Sequence, residues 1–303
     1  MSSQEAPRVL VFAYSDVGYD CLELLLKHGA EVVGVFTHED NPNEEQWFRC
    51  VADLAASKGI PVFKPKSLKD EAVFQGLKDL RPDIIFSFYY RNMIPETVLD
   101  LPSLGAFNMH GSLLPKYRGR APVNWAVLHG ETQIGATLHT MVKQADAGDM
   151  IDQEAVSIGP RETAFEVMRK VQQAACVVLE RQVKALLTGT APRIPQDDSQ
   201  ATYFSGRKPE DGRIDWTQSA QSIFNLIRAV THPFPGAFTD AFENKRLCIW
   251  WAEPEMRFQD KPSSDFKPGE CVSQEPLMIA TGDGFLKITE CEWQDLPASA
   301  NAN

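Results

Sequence analysis

The chain has 303 residues, of which 43% are hydrophobic, so it is long enough for about two globular domains with ordinary cores. Its formal net charge of −11 argues mildly against a nucleic-acid partner, because proteins that bind nucleic acid usually carry a basic stripe. Six scattered cysteines without a CxxC pair, and an N-terminal apolar run too short for a signal peptide or a membrane span, indicate a cytoplasmic protein without membrane insertion.

Short apolar runs alternate with helical patterns through the first half of the chain, which is typical of an α/β fold. The predicted strands cover residues 8–13, 31–37, 61–63, 83–88, 105–109, 132–141 and 149–156. The predicted helices pass through residues 21–26, 46–58, 70–80, 123–129 and 163–187. We expect the last of these strands to be antiparallel or to lie at the edge of the sheet.

The turn after the first strand carries one glycine, Gly18, where a dinucleotide-binding protein would show GxGxxG. Without the other glycines the backbone cannot approach a pyrophosphate in the usual way. The sequence therefore excludes NAD or FAD binding at this turn, although the surrounding β–α pattern is Rossmann-like.

The second half of the chain has a different pattern. Residues 190–201 contain prolines and aspartates and are predicted to form a linker after a catalytic domain of residues 1–189. From 202 to 303, short strand-like pieces are separated by turn signals, with one helix at 219–230. This size and pattern are typical of a small β-barrel domain.

Three polar side chains suggest chemistry. Asn108 and His110 are two residues apart at the end of a predicted strand, so an extended backbone places both on one face. An amide can donate a hydrogen bond to a developing oxyanion, and an imidazole can move a proton. Asp146 follows in a glycine-flanked turn, and a carboxylate near an imidazole would fix its tautomer and favour its charged form. By spacing alone, a structural role for the same side chains stays open.

The run from His110 to Gly119, HGSLLPKYRG, has Asn108 before it and Asp146-Ala-Gly148 after it. Together these residues resemble the signature of the folate-dependent formyltransferases, and the likeness extends over nearly the whole chain. It implies a Rossmann-like formyltransferase domain followed by a small OB-like β-barrel domain. It also implies direct transfer. Asn108 would stabilise the oxyanion of a tetrahedral intermediate, and His110, oriented by Asp146, would carry a proton from the attacking amine to the departing folate nitrogen.

The resemblance implies 10-formyltetrahydrofolate as co-substrate and no metal. The implied folate-binding residues are Asn92, Met93, Ile94, Arg120, Val142, Lys143, Gln144, Ala145 and Asp146. Lys116, Arg118 and Arg120 crowd one loop, where cations often meet anions. The resemblance places Arg120 at the folate and the rest of this loop near the acceptor. The alternative is a surface loop whose arginines pair with nearby acids.

Within the family, residues 86–91, 105–108, 118–122 and 232–238 are similar to members that formylate UDP-4-amino-4-deoxy-L-arabinose in lipid A modification and polymyxin resistance. This implies a nucleotide-sugar acceptor and a dehydrogenase-decarboxylase partner, fused or separate, and it is compatible with a homo-oligomer. The alternatives are a methionyl-tRNA formyltransferase, a formyltetrahydrofolate hydrolase and a folate-binding regulatory module. An acidic segment at 43–45 argues against the tRNA enzymes, which carry a longer basic loop there.

Two other chemistries find little support. A serine hydrolase would need a GxSxG turn, and the segment His110-Gly-Ser112 lacks its first glycine. The six histidines form neither an HxxxH nor an HxH pair, so we predict no metal site. His139 alternates with apolar neighbours, and we interpret it as a core histidine or as one that supports the site from behind.

Overall fold

The structure is a computed structural model and describes residues 6–40, 47–240 and 245–295. The chain forms two compact units that interleave along the sequence. The first comprises Met1–Pro122, Ile134–Val156 and Arg169–Phe204, and the second Val123–Gln133, Ser157–Met168 and Ser205–Asn303. The division into residues 1–189, a linker at 190–201 and residues 202–303 stays a prediction.

The first half of the chain alternates strands and helices, as predicted. Its strands are β1 Arg8–Ala13, β2 Glu31–Phe36, β3 Val62–Phe63, β4 Ile84–Phe88, β5 Gly105–His110, β6 Arg118–Gly119, β7 Gln133–Thr140 and β8 Met150–Ser157. Its helices are α1 Ser15–Lys27, α2 Val51–Ser57, α3 Glu71–Asp79, α4 Glu96–Leu99, α5 Pro122–Leu128 and α6 Ala164–Leu187.

Seven of these strands form one sheet in the order β3-β2-β1-β4-β5-β7-β8. The pairs from β3 to β5 are parallel, and β7 runs antiparallel to β5. Every residue of β4 is buried, which is expected of a parallel strand covered on both faces. The strand β8 lies at the sheet edge, as predicted.

Two predicted elements differ from the structure. The second helix was predicted from residue 46, which lies outside the described residues, but the structure begins it at Val51. The residues before it make tertiary contacts instead: the Phe48 ring packs on Tyr14, and the Arg49 guanidinium pairs with Asp16 at 2.8 Å. The loop predicted at 112–120 contains the short strand β6, which pairs in parallel with β9, Tyr203–Phe204. Sequence patterns do not reveal pairings this short.

The second unit contains a five-stranded antiparallel sheet and one long helix. Its elements are α7 Ala220–Val230, β10 Ala237–Asp240, β11 Lys245–Glu255, β12 Cys271–Gln274, β13 Leu277–Ala280 and β14 Phe285–Asp295. The sheet order is β10-β11-β14-β13-β12. The predicted fold class, a mixed α/β domain followed by a small β domain, is confirmed. Over the described ranges, no helix is both long and apolar enough to cross a membrane.

Candidate active site

The candidate site lies at the carboxyl edge of the parallel strands. Strand order reverses between β1 and β4, and such switch points open a crevice where ligands bind in α/β sheets. The loop after β1 crosses to the end of β4, where the Tyr14 N–H donates to the Phe88 carbonyl at 3.1 Å. Because β5 is parallel to β4, Asn108 and His110 at its end reach the same edge.

The three side chains predicted to carry the chemistry come together. Asp146 Oδ1 lies 3.5 Å from His110 Nδ1 and accepts from Asn108 Nδ2 at 3.4 Å. His110 is 7% exposed, and the Asp146 side chain is 12% exposed. An amide, an imidazole and a carboxylate therefore meet in a cluster largely removed from water, where electrostatic interactions are stronger than in water.

His139 joins this group, as the sequence suggested only in general terms. The antiparallel register of β5 and β7 places His139 directly opposite Asn108. Its Nδ1 lies 2.8 Å from the Thr140 carbonyl oxygen, which can only accept, so Nδ1 carries a proton. In the neutral ring, Nε2 is then an acceptor, and it receives a hydrogen bond from Asn108 Nδ2 at 3.1 Å. This contact fixes the orientation of the Asn108 amide.

The same reasoning gives the protonation pattern of His110. Its Nε2 lies 2.8 Å from the Tyr117 carbonyl oxygen and therefore donates to it. The nitrogen that can gain or lose a proton without breaking this bond is Nδ1, which faces Asp146. The ring nitrogen that is not used by a backbone carbonyl is therefore the one beside the carboxylate.

Asp146 is held as a carboxylate. Burial alone would raise its pKa, but His110, His139 and the Gly119 N–H, which donates to Oδ2 at 2.9 Å, together hold the pKa well below its usual range. Its backbone has φ 55°, in the left-handed region that aspartate tolerates better than most residues. Such strained conformations concentrate at functional sites.

The residues predicted to bind folate lie in two neighbouring segments. Lys143 Nζ is 3.6 Å from Glu96 Oε2, so the loop at 142–146 runs beside the turn at 92–96. Exposed apolar side chains occupy both segments: Met93 is 65% exposed and Val142 45%. The other predicted residues vary in environment: Ile94 is buried, Asn92 and Gln144 are exposed, and Ala145 is half-buried. An apolar strip exposed at the edge of the sheet suits a flat heterocycle.

The three loop cations separate in the structure. Lys116 and Arg120 are exposed, and Arg120 Nη2 donates to the Arg91 carbonyl at 3.1 Å. Arg118, in contrast, is 1% exposed and donates to Gln196, Tyr203 and Asp198. For Arg118 the structure agrees with the alternative, an arginine that pairs with a nearby acid within the protein.

Sequence reasoning missed one contact to the site completely. Gln196, within the predicted linker, donates from Nε2 to the carbonyls of Asp146 at 2.8 Å and of Gly148 at 2.6 Å. No periodicity or motif marks a glutamine in a proline-containing stretch, and only the fold brings it to the site. Among the described residues, no group of three or more His, Cys, Asp or Glu side chains gathers as metal ligands.

Comparison with known families identifies the class of protein to which this fold and site belong. Residues 9–183 match the model of the formyl transferase family, and residues 207–302 match the model of the formyl transferase C-terminal domain. The chain therefore belongs to the formyl transferase family, and the predicted enzyme class is confirmed.

Solved structures share the fold. An N-formyltransferase from Helicobacter canadensis, in complex with folinic acid and dTDP-3-aminofucose, superimposes with a TM-score of 0.71 at 20% identity, over 95% of this chain and 100% of the other. A sugar 3-N-formyltransferase with dTDP and 5-N-formyltetrahydrofolate gives 0.70 at 19% identity, over 95% and 98%. A 4-N-formyltransferase from Francisella tularensis gives 0.60 at 22% identity, over 75% and 89%.

Proposed function

We propose that this chain transfers a formyl group from 10-formyltetrahydrofolate to the 4-amino group of a nucleotide-linked sugar, UDP-4-amino-4-deoxy-L-arabinose. The observation that carries the proposal is that Asn108 and His110 each approach Asp146 Oδ1, at 3.4 and 3.5 Å, at the carboxyl edge of the sheet. Acyl transfer to an amine needs an oxyanion donor, a proton carrier and a group that orients the carrier, and these side chains can supply all three.

The formyl donor fits the two segments beside the trio. The exposed faces of Met93 and Val142 offer apolar contact to a pteridine ring, and backbone groups of the loop at 142–146 can hydrogen-bond its edge. Arg120 would reach the donor from the facing loop, where its guanidinium is already held by the Arg91 carbonyl. When bound, 10-formyltetrahydrofolate supplies the formyl carbon that the amine attacks.

The protein residues then divide the work. When the donor is bound, the Asn108 amide keeps one N–H on His139. It turns the other N–H, which makes the longer 3.4 Å contact to Asp146, towards the negative charge that develops on the formyl oxygen. His110 takes the amine proton at Nδ1 as the amine attacks, and Asp146 stabilises the imidazolium that results. The imidazolium then gives this proton to the departing folate nitrogen as its bond to the formyl carbon breaks. Because the lowered pKa keeps Asp146 ionised at neutral pH, its negative charge can stabilise the positive charge of the His110 imidazolium.

The choice of acceptor rests on the motifs at 86–91 and 232–238 and on the relatives named above. A dTDP-linked amino sugar is the second candidate, since two of the similar structures hold dTDP or a dTDP-linked sugar. The acidic segment that argues against a tRNA acceptor lies at 43–45, outside the described residues. The proposal places the reaction in the cytoplasm, in lipid A modification, with a dehydrogenase-decarboxylase partner.

An acceptor screen tests the assignment. Purified protein and 10-formyltetrahydrofolate are mixed with UDP-4-amino-4-deoxy-L-arabinose, a dTDP-4-amino sugar or charged initiator tRNA, and tetrahydrofolate release is followed. Turnover with the UDP-linked sugar alone supports the proposal. Turnover with the dTDP-linked sugar alone shows that the acceptor carries dTDP and not UDP. Turnover with tRNA alone shows that the acceptor is a tRNA and not a nucleotide sugar. Release of formate without any acceptor identifies a hydrolase.

The oxyanion role makes a first quantitative prediction. Replacing Asn108 by Ala removes one N–H donor, so kcat should fall by roughly 10²–10³ while KM for the donor changes little. Asn108→Asp keeps the shape but cannot donate, so it should lose a similar factor. Steady-state kinetics at saturating acceptor measure both variants, and undiminished turnover in either one would rule out the assigned role.

A further inference from the structure

The backbone around Asp146 is held by a side chain from a distant part of the sequence. Gln196 Nε2 donates to two carbonyls of the turn, Asp146 O at 2.8 Å and Gly148 O at 2.6 Å. Asp146 itself has φ 55°, so this turn does not follow the most favourable backbone path. A donor that spans two carbonyls of such a turn restricts where the Asp146 carboxylate can point.

Arg118 fixes which end of the Gln196 amide faces the turn. Its Nε and Nη2 donate to Gln196 Oε1 at 3.1 and 2.7 Å. A guanidinium has donors only, so the oxygen of the amide must face Arg118 and the NH₂ must face the carbonyls. Arg118 is buried and donates further to Tyr203 Oη at 2.5 Å and to Asp198 Oδ1 at 2.6 Å, so it cannot easily turn away.

The strand β6, which contains Arg118, also holds the carboxylate of Asp146. Gly119, the residue after Arg118, donates its N–H to Asp146 Oδ2 at 2.9 Å. Gly119 has φ 101°, and a Cβ there would lie 2.2 Å from the Phe204 carbonyl oxygen, because β6 and β9 pair closely at this point. The pairing of β6 with β9 therefore positions the N–H for the carboxylate, while Arg118 positions Gln196 for the backbone.

We propose that Gln196, braced by the buried Arg118, is a positioning residue that aims the Asp146 carboxylate at His110. The inference rests on the catalytic role proposed for Asp146. It assigns a specific function to the segment after α6, which carries no reactive group. Arg118 and Gln196 both act through other residues and need not touch either substrate.

Two variants at Gln196 separate the parts of this arrangement. Gln196→Glu keeps an oxygen for Arg118 but places a carboxylate against two carbonyls, so it cannot donate to them. Gln196→Met has a similar length and loses both contacts. Since a misplacement near 1 Å can cost 10²-fold in rate, we expect kcat to fall by roughly 10–100-fold in both, with KM for donor and acceptor nearly unchanged.

The matched control is Gln200→Met. Gln200 lies on the same segment, is exposed and donates to Asp197 Oδ2 at 2.8 Å, away from the turn. This variant should keep the kcat of the unaltered protein. The same three proteins, without ligands and labelled with ¹⁵N-histidine, are compared by NMR. The His110 ring nitrogen signals should move in both Gln196 variants and stay in place in Gln200→Met.

The outcomes are distinguishable from failure of the proposed function. If Asp146→Asn is fully active, the catalytic assignment itself fails. If Asp146→Asn is inactive while both Gln196 variants keep kcat and the His110 signals, the positioning inference is wrong. A parallel loss of melting temperature and kcat with unmoved His110 signals would also overturn it, because that result indicates a role in folding alone.

Discussion

Two charges of opposite sign that are largely removed from water, Asp146 in the first compact unit and Arg228 in the second, differ in the partners that surround them. In the first unit, Asp146 faces groups that can change their own charge, since His110 and His139 both lie 3.5 Å from its Oδ1. Its pKa lies well below the usual range because these imidazoles and the Gly119 N–H outweigh the effect of burial. The partners of this carboxylate are therefore imidazoles and a backbone N–H, not a permanently charged side chain.

In the second unit, Arg228 is 3% exposed and donates to neutral amide and carbonyl oxygens. Its guanidinium donates to Asn225 Oδ1 at 3.0 Å and to the carbonyls of Glu162 at 3.1 Å, Gly159 at 3.3 Å and Val127 at 3.3 Å. Burial lowers the pKa of Arg228, and the Glu162 carboxylate opposes this shift. These partners join α5, α7 and the segment before α6 within the unit, so the charge is structural.

The largest expected effect is on turnover at Asp146. Asp146→Asn keeps the size of the side chain and tolerates the left-handed backbone, but removes the charge that stabilises the imidazolium. We expect kcat to fall by roughly 10²–10⁴, measured in steady state with the acceptor found in the screen. The variant should remain folded, as judged by circular dichroism.

The control for this prediction is Asp240→Asn in the second unit. The Asp240 carboxylate also has a pKa below its usual value, because Arg246 and Arg213 donate to it at 2.9 and 2.5 Å. The two arginines that pair with Asp240 stay charged and exchange no proton with it. We therefore expect kcat to be unchanged in Asp240→Asn. Equal losses in the two variants would mean that a lowered pKa alone, and not the histidine partners, marks the important carboxylate.

The next effect in size is on stability at Arg228. Arg228→Met leaves the carbonyls of Val127, Gly159 and Glu162 without this donor, and we expect a loss of about 2–4 kcal/mol in the free energy of unfolding. Arg228→Lys keeps the charge and some of the donors, so it should lose less. Urea unfolding measures both. An Arg228→Met variant that unfolds like the unaltered protein but has a reduced kcat would show that Arg228 serves catalysis and not stability.

The role of Asp146 could be predicted from the sequence, whereas that of Arg228 could not. Asp146 stands in a motif, and apolar runs predict the strands around it, so the trio could be named before the structure. Arg228 lies in a helical pattern like any surface arginine. Its burial depends on how α5 and α7 pack, and sequence periodicity does not encode such packing.

Within the site, the same limit applies to residues brought in by strand register. His139 faces Asn108 only because β7 pairs with β5 in one particular register, which the sequence does not specify. Gln196 reaches the Asp146 turn through a segment that has the composition of a linker. The short pairing of β6 with β9 that accompanies it has no hydrophobic pattern. Local patterns predict elements, whereas long-range pairing completes the site.

The smallest effect concerns His38, an ionisable group that the protein keeps neutral. Burial first, and then the charge of Arg91, lower the pKa of His38 to about 4. Its Nε2 accepts the Arg91 N–H at 3.0 Å, a bond that a protonated ring could not form. The unfolded chain takes up this proton near pH 6.5, and the folded protein does so only near pH 4. Stability should therefore fall as the pH is lowered between these values.

His38→Gln removes this proton uptake while keeping an amide oxygen that can accept the Arg91 N–H. Between pH 7.5 and pH 5, the unaltered protein should lose about 1 kcal/mol more than His38→Gln, after allowance for the half-exposed ring. Urea unfolding at both pH values gives the difference. The matched control is His28→Gln, which replaces a histidine 2.9 Å from Glu180 and keeps His38. Between pH 7.5 and pH 5, its free energy of unfolding should fall as much as that of the unaltered protein. Identical slopes in the unaltered protein and His38→Gln would show that His38 takes up its proton equally in both states, so neutrality there would not be imposed by the fold.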